Sequence, residues 1–260
     1  MRILLIGDIV GRPGRRVARQ LLARLRKHHR LDLVVANAEN AAGGFGITPP
    51  VGEELLTSGI DILTMGNHAW GKKESYDYLD AEPRVLRPAN YPAGVPGRGS
   101  AVVQTATGGL AGVVNLGGRV FFSTDLECPF RTGRREAMLL RERTPVIIVD
   151  FHAEATSEKV ALGYHLDGQV SVVAGTHTHV QTADERILPG GTACISDLGM
   201  TGPVDGIIGI RKELALERFL TQLPVRFEVA HGPCALCGLV VEVDDRDGRA
   251  REVYRIQEHD

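Results

Sequence analysis

Over the first 80 residues, apolar runs of strand length alternate with amphipathic stretches, and that alternation limits the fold more than any other feature of the chain. Residues 2–6, 31–38 and 60–65 read as buried strands. Residues 13–28, 49–58 and 72–79 carry the apolar spacing of helices. Pro13 suits the first turn of one, and Thr48 is placed to cap another that opens at Pro49. Strand and helix in strict alternation build a parallel sheet covered by helices, so the fold class is α/β.

From Gly94 to Ser123 glycines multiply, and the β-rich runs at 101–105, 110–116 and 120–123 read as shorter strands in antiparallel hairpins. Residues 145–151 return to a buried strand, 155–162 to a helix and 170–174 to a strand. The last third offers strands at 192–196, 225–230, 236–243 and 252–256, and a helix at 211–221. No linker, repeat or low-complexity segment interrupts the chain. Residues 1–260 therefore read as one domain of two β-sheets packed between helices.

Polar residues follow nearly every strand end. Asp8 follows 2–6, Glu39 and Asn40 follow 31–38, Asn67 and His68 follow 60–65, His152 follows 145–151, and His177 and His179 follow 170–174. The carboxyl ends of parallel strands share one rim, where ligands bind. Taken singly these residues have bland readings, Asp8 as a helix cap and Asn40 as a turn former. Taken together they aim two carboxylates, two amides and four imidazoles at one crevice. Imidazole with carboxylate favours Mn, Fe or Zn over Mg or Ca. The set is too large for one ion of ordinary coordination, whereas two ions sharing a bridging carboxylate use it well. Ions ~3.5–4 Å apart clamp a phosphoryl group and activate a bridging water.

Gly7-Asp8, Gly66-Asn67-His68, the strand-end His152 and Gly175-Thr176-His177-Thr178-His179 resemble the calcineurin-like metallophosphoesterases. That family's pattern runs Asp-x-His, Gly-Asp, Gly-Asn-His, His, Gly-His-x-His. The chain departs from it at three places: Val10 stands where the family has His, Glu39 replaces the second Asp, and Thr176 is inserted after Gly175. These departures, and the stretches 7–14, 37–46, 64–70, 150–159 and 175–184, are similar to the YmdB-like branch. The resemblance covers nearly the whole chain.

The resemblance implies a four-layer fold, two mixed β-sheets flanked by helices. It implies two divalent or trivalent transition-metal ions per chain, Mn or Fe, with Zn as an alternative. Glu39 would bridge them. Asp8, Asn40 and His179 would complete one site, with Asn40 standing in for the histidine absent at position 10. Asn67, His152 and His177 would complete the other. His68 would face the substrate as general acid or charge stabiliser. The branch is associated with cyclic nucleotide phosphodiesterases, so the expected activity is hydrolysis of a small 2′,3′-cyclic or 3′,5′-cyclic nucleotide by metal-activated water.

Two rival functions use the same residues. A phosphomonoesterase or nucleotidase applies the same metals to another ester. A regulatory module that binds RNA or protein would keep the metals as structural support, but it needs neither open coordination positions nor a spare acid at His68.

The remaining signals are weaker. Gly7, Gly11 and Gly14 lack the G-x-G-x-x-G spacing of a dinucleotide site, and Asp8 would set a negative charge beside the pyrophosphate. Cys234 and Cys237 face opposite sides of a strand and have no second pair to complete a zinc site. The basic cluster from Arg15 to Arg30 reads as a solvated helix face, with RNA contact as the alternative. Trp70 reads as a base-stacking ring or as wall packing. The loop around Phe45 bends after Glu39, and its contact with substrate is open. The formal net charge of −2 carries no bulk signal for nucleic acid or membrane and favours a small substrate held by local charges. No run approaches the ~20 apolar residues of a membrane span, and the N-terminal run lacks the features of a signal peptide, so the cytoplasm is the expected location. A homo-oligomer is compatible with the sequence.

Overall fold

The computed structural model describes residues 1–105, 107–122 and 125–260. The chain runs β1 (Arg2–Ile6), β2 (Asp8–Ile9), α1 (Gly11–His29), β3 (Leu33–Asn37), α2 (Pro49–Thr57), β4 (Ile62–Thr64), α3 (Ser75–Ala81), β5 (Val85–Leu86), β6 (Ser100–Gln104) and β7 (Leu110–Gly117). It continues through α4 (Pro129–Arg141), β8 (Ile147–His152), α5 (Thr156–Leu166), β9 (Val172–Thr176), β10 (Arg186–Ile187), β11 (Ala193–Ile195), β12 (Met200–Pro203), α6 (Lys212–Thr221), β13 (Cys234–Val243) and β14 (Ala250–His259).

One sheet has the order β2-β12-β13-β1-β3-β4-β5, with β14 on the other edge of β13. The strands β1, β3, β4 and β5 are parallel, as the strand–helix alternation predicts, and β13 lies antiparallel to β1. The other sheet, β10-β11-β9-β8-β7-β6, is parallel at its centre and antiparallel at both edges.

Alternation along the strands assigns their faces. Ile3, Leu5, Leu33, Val35 and Ile62 pack against Val113, Ile148, Val172 and Ile195, making a core between the sheets. The opposite faces of the same strands, at Leu4, Ile6, Val34 and Ala36, are covered by Val17, Leu21, Leu22 and Leu25 of α1 and by Leu55 of α2. On the far side Val114, Leu116, Val149 and Phe151 meet Ala137 and Leu140 of α4 and Leu162 and Leu166 of α5. Helix, sheet, sheet and helix thus stack in four layers. Burying each Leu, Val or Phe side chain contributes about 1.5–3 kcal/mol, so these three cores dominate the stability.

The structure corrects several expectations. Residues 120–122 are not a strand, and position 123 lies outside the described residues. Residues 225–230 are not a strand either; they make a single bridge, Val229 to Ile210. The sequence pattern missed α4 because its inward face mixes Thr132, Gly133 and Ala137 with Leu140, while Met138 and Leu139 point to solvent, which blurs the apolar stripe. No helix among the described residues is long and apolar enough to cross a membrane.

Candidate metal centre and substrate cleft

The carboxyl ends of β1, β3 and β4 in one sheet and of β8 and β9 in the other open on a common rim. Asp8, just past β1, is fully buried. Its Oδ2 accepts the His177 amide at 3.1 Å, and its Oδ1 has no hydrogen-bond partner among the described residues. Burial raises its pKa to about 6, helped by Glu39 and opposed by His179 and His152. A buried carboxylate oxygen with no donor is costly unless a cation meets it.

Glu39 follows β3, and Gly66 lets it approach the centre. A Cβ at position 66 would overlap both the His152 ring and the Glu39 carboxylate. Glu39 Oε1 lies 3.1 Å from His152 Nε2 and 3.2 Å from His68 Nδ1, and Oε2 accepts the His68 amide at 3.0 Å. Burial works against the carboxylate's charge, but His152 and His68 hold it well below the usual range.

His152 ends β8, and its orientation follows from the groups behind it. The Thr176 hydroxyl donates its one proton to Asp150 Oδ1 at 2.7 Å, so at 3.0 Å it accepts from His152 Nδ1–H. Asp150 also accepts from Thr64 Oγ1 and, at 3.1 Å, from Asn37 Nδ2. This chain turns His152 Nε2 to the centre, 3.0 Å from Asn67 Oδ1 and 3.0 Å from His177 Nδ1. Such support behind a ligand ring fixes both tautomer and direction. Burial opposes charge on His152, but Glu39, Asp8 and Asp150 outweigh it and raise its pKa to about 9. His177 goes the other way: burial and the neighbouring His152 lower its pKa to about 3. Its Nε2 meets Glu154 at 3.0 Å, which leaves Nδ1 for the centre.

His177 and His179 both sit at positive φ, 101° and 67°. Thr178 between them is clamped: its N–H and hydroxyl donate to Asp197 Oδ2 at 3.1 and 2.6 Å, and Lys159 Nζ donates to the same oxygen at 2.8 Å. His179 Nδ1–H donates to the Ile208 carbonyl at 2.9 Å, which aims Nε2 at Asn40 Nδ2 (3.2 Å) and Asp8 Oδ1 (3.8 Å). Asn40 Oδ1 accepts from His68 Nδ1 at 2.8 Å. Asn40 therefore shows its amide nitrogen to His179, and an oxygen ligand there requires the amide turned over.

Asp8, Glu39, Asn40, Asn67, His152, His177 and His179 all converge at this rim, with His68 beside them. Glu39, His152 and His177 offer ligand atoms within 4.8 Å of one another, a group fit to hold a metal ion. The orphaned Asp8 oxygen and this mixed imidazole–carboxylate set both fit a transition metal. A cleft of about 390 Å³ opens over Glu39, Asn40, His68, His177 and His179. Its other walls are apolar: Val10, Phe45, Ile208, Ile210, Phe227 and Val229. Val10, where the wider family carries histidine, serves as wall.

The structure also places the residues behind the weaker signals. Trp70 packs on the core and meets Tyr76 and Tyr91 edge-on, away from the cleft lining. Arg15 pairs with Glu54, Arg16 with Asp260, Arg24 with Glu258 and Arg26 with Asp61, so much of the basic face of α1 is tied down internally. Cys234 and Cys237 are buried, free thiols. Sequence reasoning missed Asp150, Glu154, Lys159, Asp197, Ile208 and Phe227. Asp150 carried a usable signal, since a polar residue two before His152 in a strand shares its face. Ile208 and Phe227 carried none.

Comparison with known proteins agrees over the full length. The chain is 50% identical over 256 residues to a 2′,3′-cyclic-nucleotide 2′-phosphodiesterase of Bacillus subtilis, covering 98% of this chain and 96% of that protein. It superposes on the crystal structure of a hypothetical protein from Thermus thermophilus with a TM-score of 0.92 and 41% identity, covering 100% of this chain and 99% of the other. A phosphatase structure from Mycoplasma pneumoniae also gives a TM-score of 0.92, at 33% identity, covering 100% and 93%. The model of the YmdB-like protein family matches residues 4–256, and the chain belongs to that family.

Proposed function

We propose that this chain is a dinuclear metal-dependent phosphodiesterase that hydrolyses small cyclic nucleotides, 2′,3′-cyclic ones and also 3′,5′-cyclic ones. The observation that carries the proposal is the buried Asp8 oxygen, without a donor among the described residues, beside Glu39 and the histidines that border a cleft of about 390 Å³. The activity of the B. subtilis relative supports the substrate class.

On this reading Glu39 stands between two ligand sets, Asp8, Asn40 and His179 on one side and Asn67, His152 and His177 on the other. When bound, transition-metal ions, Mn or Fe, supply charge neutralisation for the phosphoryl oxygens and a nucleophile at neutral pH. The protein does the rest. Glu39 Oε1 accepts from His68 Nδ1 whichever way the Asn40 amide is turned, which leaves the Nε2–H of a protonated His68 free for the leaving alkoxide. Residues 1–260 act as one domain, working in the cytoplasm.

Metal analysis of protein purified without chelator, paired with a product assay on the same sample, tests the reading. About two transition-metal ions per chain and ring opening of 2′,3′-cyclic AMP are expected. One ion at full loading overturns the dinuclear model. The Mycoplasma structure is of a phosphatase, which favours monoester hydrolysis as the second reading. A preference for p-nitrophenyl phosphate over bis-p-nitrophenyl phosphate would select it.

A further inference from the structure

Residues 207–210 break a local rule at the cleft wall. Ile207 and Ile210 exchange both backbone hydrogen bonds, at 2.8 and 3.0 Å, so Ile208 and Gly209 form the tip of a two-residue hairpin. Both tip residues have positive φ, 45° and 92°. Such a turn takes Asn-Gly, because a β-branched side chain crowds its own backbone there. The Ile208 carbonyl does hold His179, but that contact is made by backbone and asks nothing of the side chain. The side chain is instead half exposed and lines the cleft. Strain kept for the sake of an exposed apolar group points to contact with a ligand.

Phe45 and Phe227, also half exposed, line the same end of the cleft with Val229. The wall is continuous because Gly44, at φ 91°, lets the loop close on Val229; a Cβ there would come within 2.9 Å of its methyl. The polar side chains of the lining are those of the metal end, Glu39, Asn40, His68, His177 and His179. Three backbone donors of the apolar end are already used: the amides of Gly43, Gly44 and Ile210 donate to the carbonyls of Ala41, Asn40 and Ile207.

We infer that the apolar end of the cleft is a nucleobase subsite that grips the base by its faces, on Phe45, Phe227 and Ile208, and leaves its edges unread. The inference rests on the cyclic-nucleotide reading and deepens it, because stacking grows with ring area while discrimination needs polar partners at the edge. The enzyme takes purines ahead of pyrimidines, and adenine and guanine alike.

The test is binding to the Mn-loaded protein, which needs no turnover. Adenosine 5′-monophosphate and guanosine 5′-monophosphate should bind within a few-fold of each other, and each roughly 5- to 100-fold more tightly than ribose 5-phosphate, the range of one aromatic–base stack. Cytidine 5′-monophosphate should fall between. Phe227→Ala and Ile208→Gly should each cut the nucleotide-to-ribose-phosphate ratio by about 5-fold or more. Ile208→Gly should do so without lowering Tm, since glycine relieves the backbone; a purely structural isoleucine would show the reverse. Equal binding of adenosine 5′-monophosphate and ribose 5-phosphate overturns the subsite. So does a difference above about 10-fold between adenine and guanine, which would mean that an edge is read. Base-dependent binding with no hydrolysis of any cyclic nucleotide would instead remove the phosphodiesterase reading and leave the subsite standing.

Discussion

Removing the charge of Lys159 should unfold the metal site before it unfolds the protein. The Lys159 ammonium and Asp197 carboxylate have side chains only 3% and 1% exposed, and their contact is 2.8 Å. The same Asp197 oxygen accepts both donors of Thr178, and Asp197 Oδ1 accepts the Gly199 amide at 2.8 Å. In Lys159→Met the carboxylate stays buried without its counterion, which costs about 3–5 kcal/mol. Set against a total of ~5–15 kcal/mol, that is a large share but not a complete loss. The segment it restrains holds His177 and His179 at positive φ, each of which stores about 1–3 kcal/mol of strain that only the surroundings maintain. The strain should relax in the variant and carry both rings off their aim, so metal affinity should fall by roughly 10- to 100-fold. Urea unfolding of the metal-free protein, with metal titration of the same samples, reads both effects. The double variant Lys159→Met/Asp197→Leu separates them: it removes the lone charge and should recover most of the stability, but it also takes away the acceptor of both Thr178 donors, so metal affinity should stay low. A Lys159→Met protein that loses less than about 1 kcal/mol and binds metal normally would refute the argument.

Other consequences are as direct. Glu39→Gln should weaken binding of every ion if, as proposed, Glu39 faces both ligand sets; atomic absorption should find well under one ion per chain after desalting. His68→Ala should keep its metals and lose roughly 10²–10⁴-fold in kcat on a cyclic nucleotide, with a smaller loss on bis-p-nitrophenyl phosphate, whose leaving group needs little protonation. Loss of metal in that variant would make His68 a ligand. His152 gives a pH prediction with a definite sign. Its folded pKa of about 9 lies above the ordinary 6.5, so its contribution to the metal-free fold is complete below pH 6.5 and is lost as pH rises through 9. Thermal melts of the chelated protein should therefore decline between those values. Metal binding at neutral pH should release a proton from His152, measurable by calorimetry in two buffers of different ionisation heat.

The strand ends were legible because a strand that stops in a parallel sheet stops at a known rim. Asp8, Glu39, Asn67 and His177 follow apolar runs whose ends the pattern located to within two residues or so, and the rim did the rest. The four-layer arrangement was implied by the family resemblance, and the continuous apolar run at 2–6 agrees with it: Leu4 and Leu5 are both fully buried on opposite faces, which requires cover on each side. Two-residue strands such as β2 and β5 are shorter than any period can register. The apolar wall was hidden for a different reason. Ile208 and Phe227 lie in a segment whose placement depends on contacts such as that of Val229 with Gly44 and Gly11, which join positions far apart in the chain. Nothing in a single pass along the residues marks that meeting.

On the proposed reading the same geometry joins the acid to the base platform. Phe45 packs its ring 4.4 Å from the His68 ring, centroid to centroid, and both border the cleft. In a cyclic nucleotide the leaving oxygen remains on the ribose, and the ribose carries the base. A base seated against Phe45 would thus be tied by a short rigid linkage to the oxygen that His68, as the proposed acid, has to reach. An acyclic ester has no such tie, because its leaving group is free to turn. Binding energy gained at the wall is then spent on orienting the bond that breaks, which raises kcat and not only affinity. Phe227 lines the cleft with no ring contact to His68, so its truncation should appear mainly in KM. Phe45→Ala should lower kcat as well, and more for the cyclic nucleotide than for an acyclic diester. Equal effects of Phe45→Ala on the two substrates would show that Phe45 supports the acid alone and does not position the nucleotide.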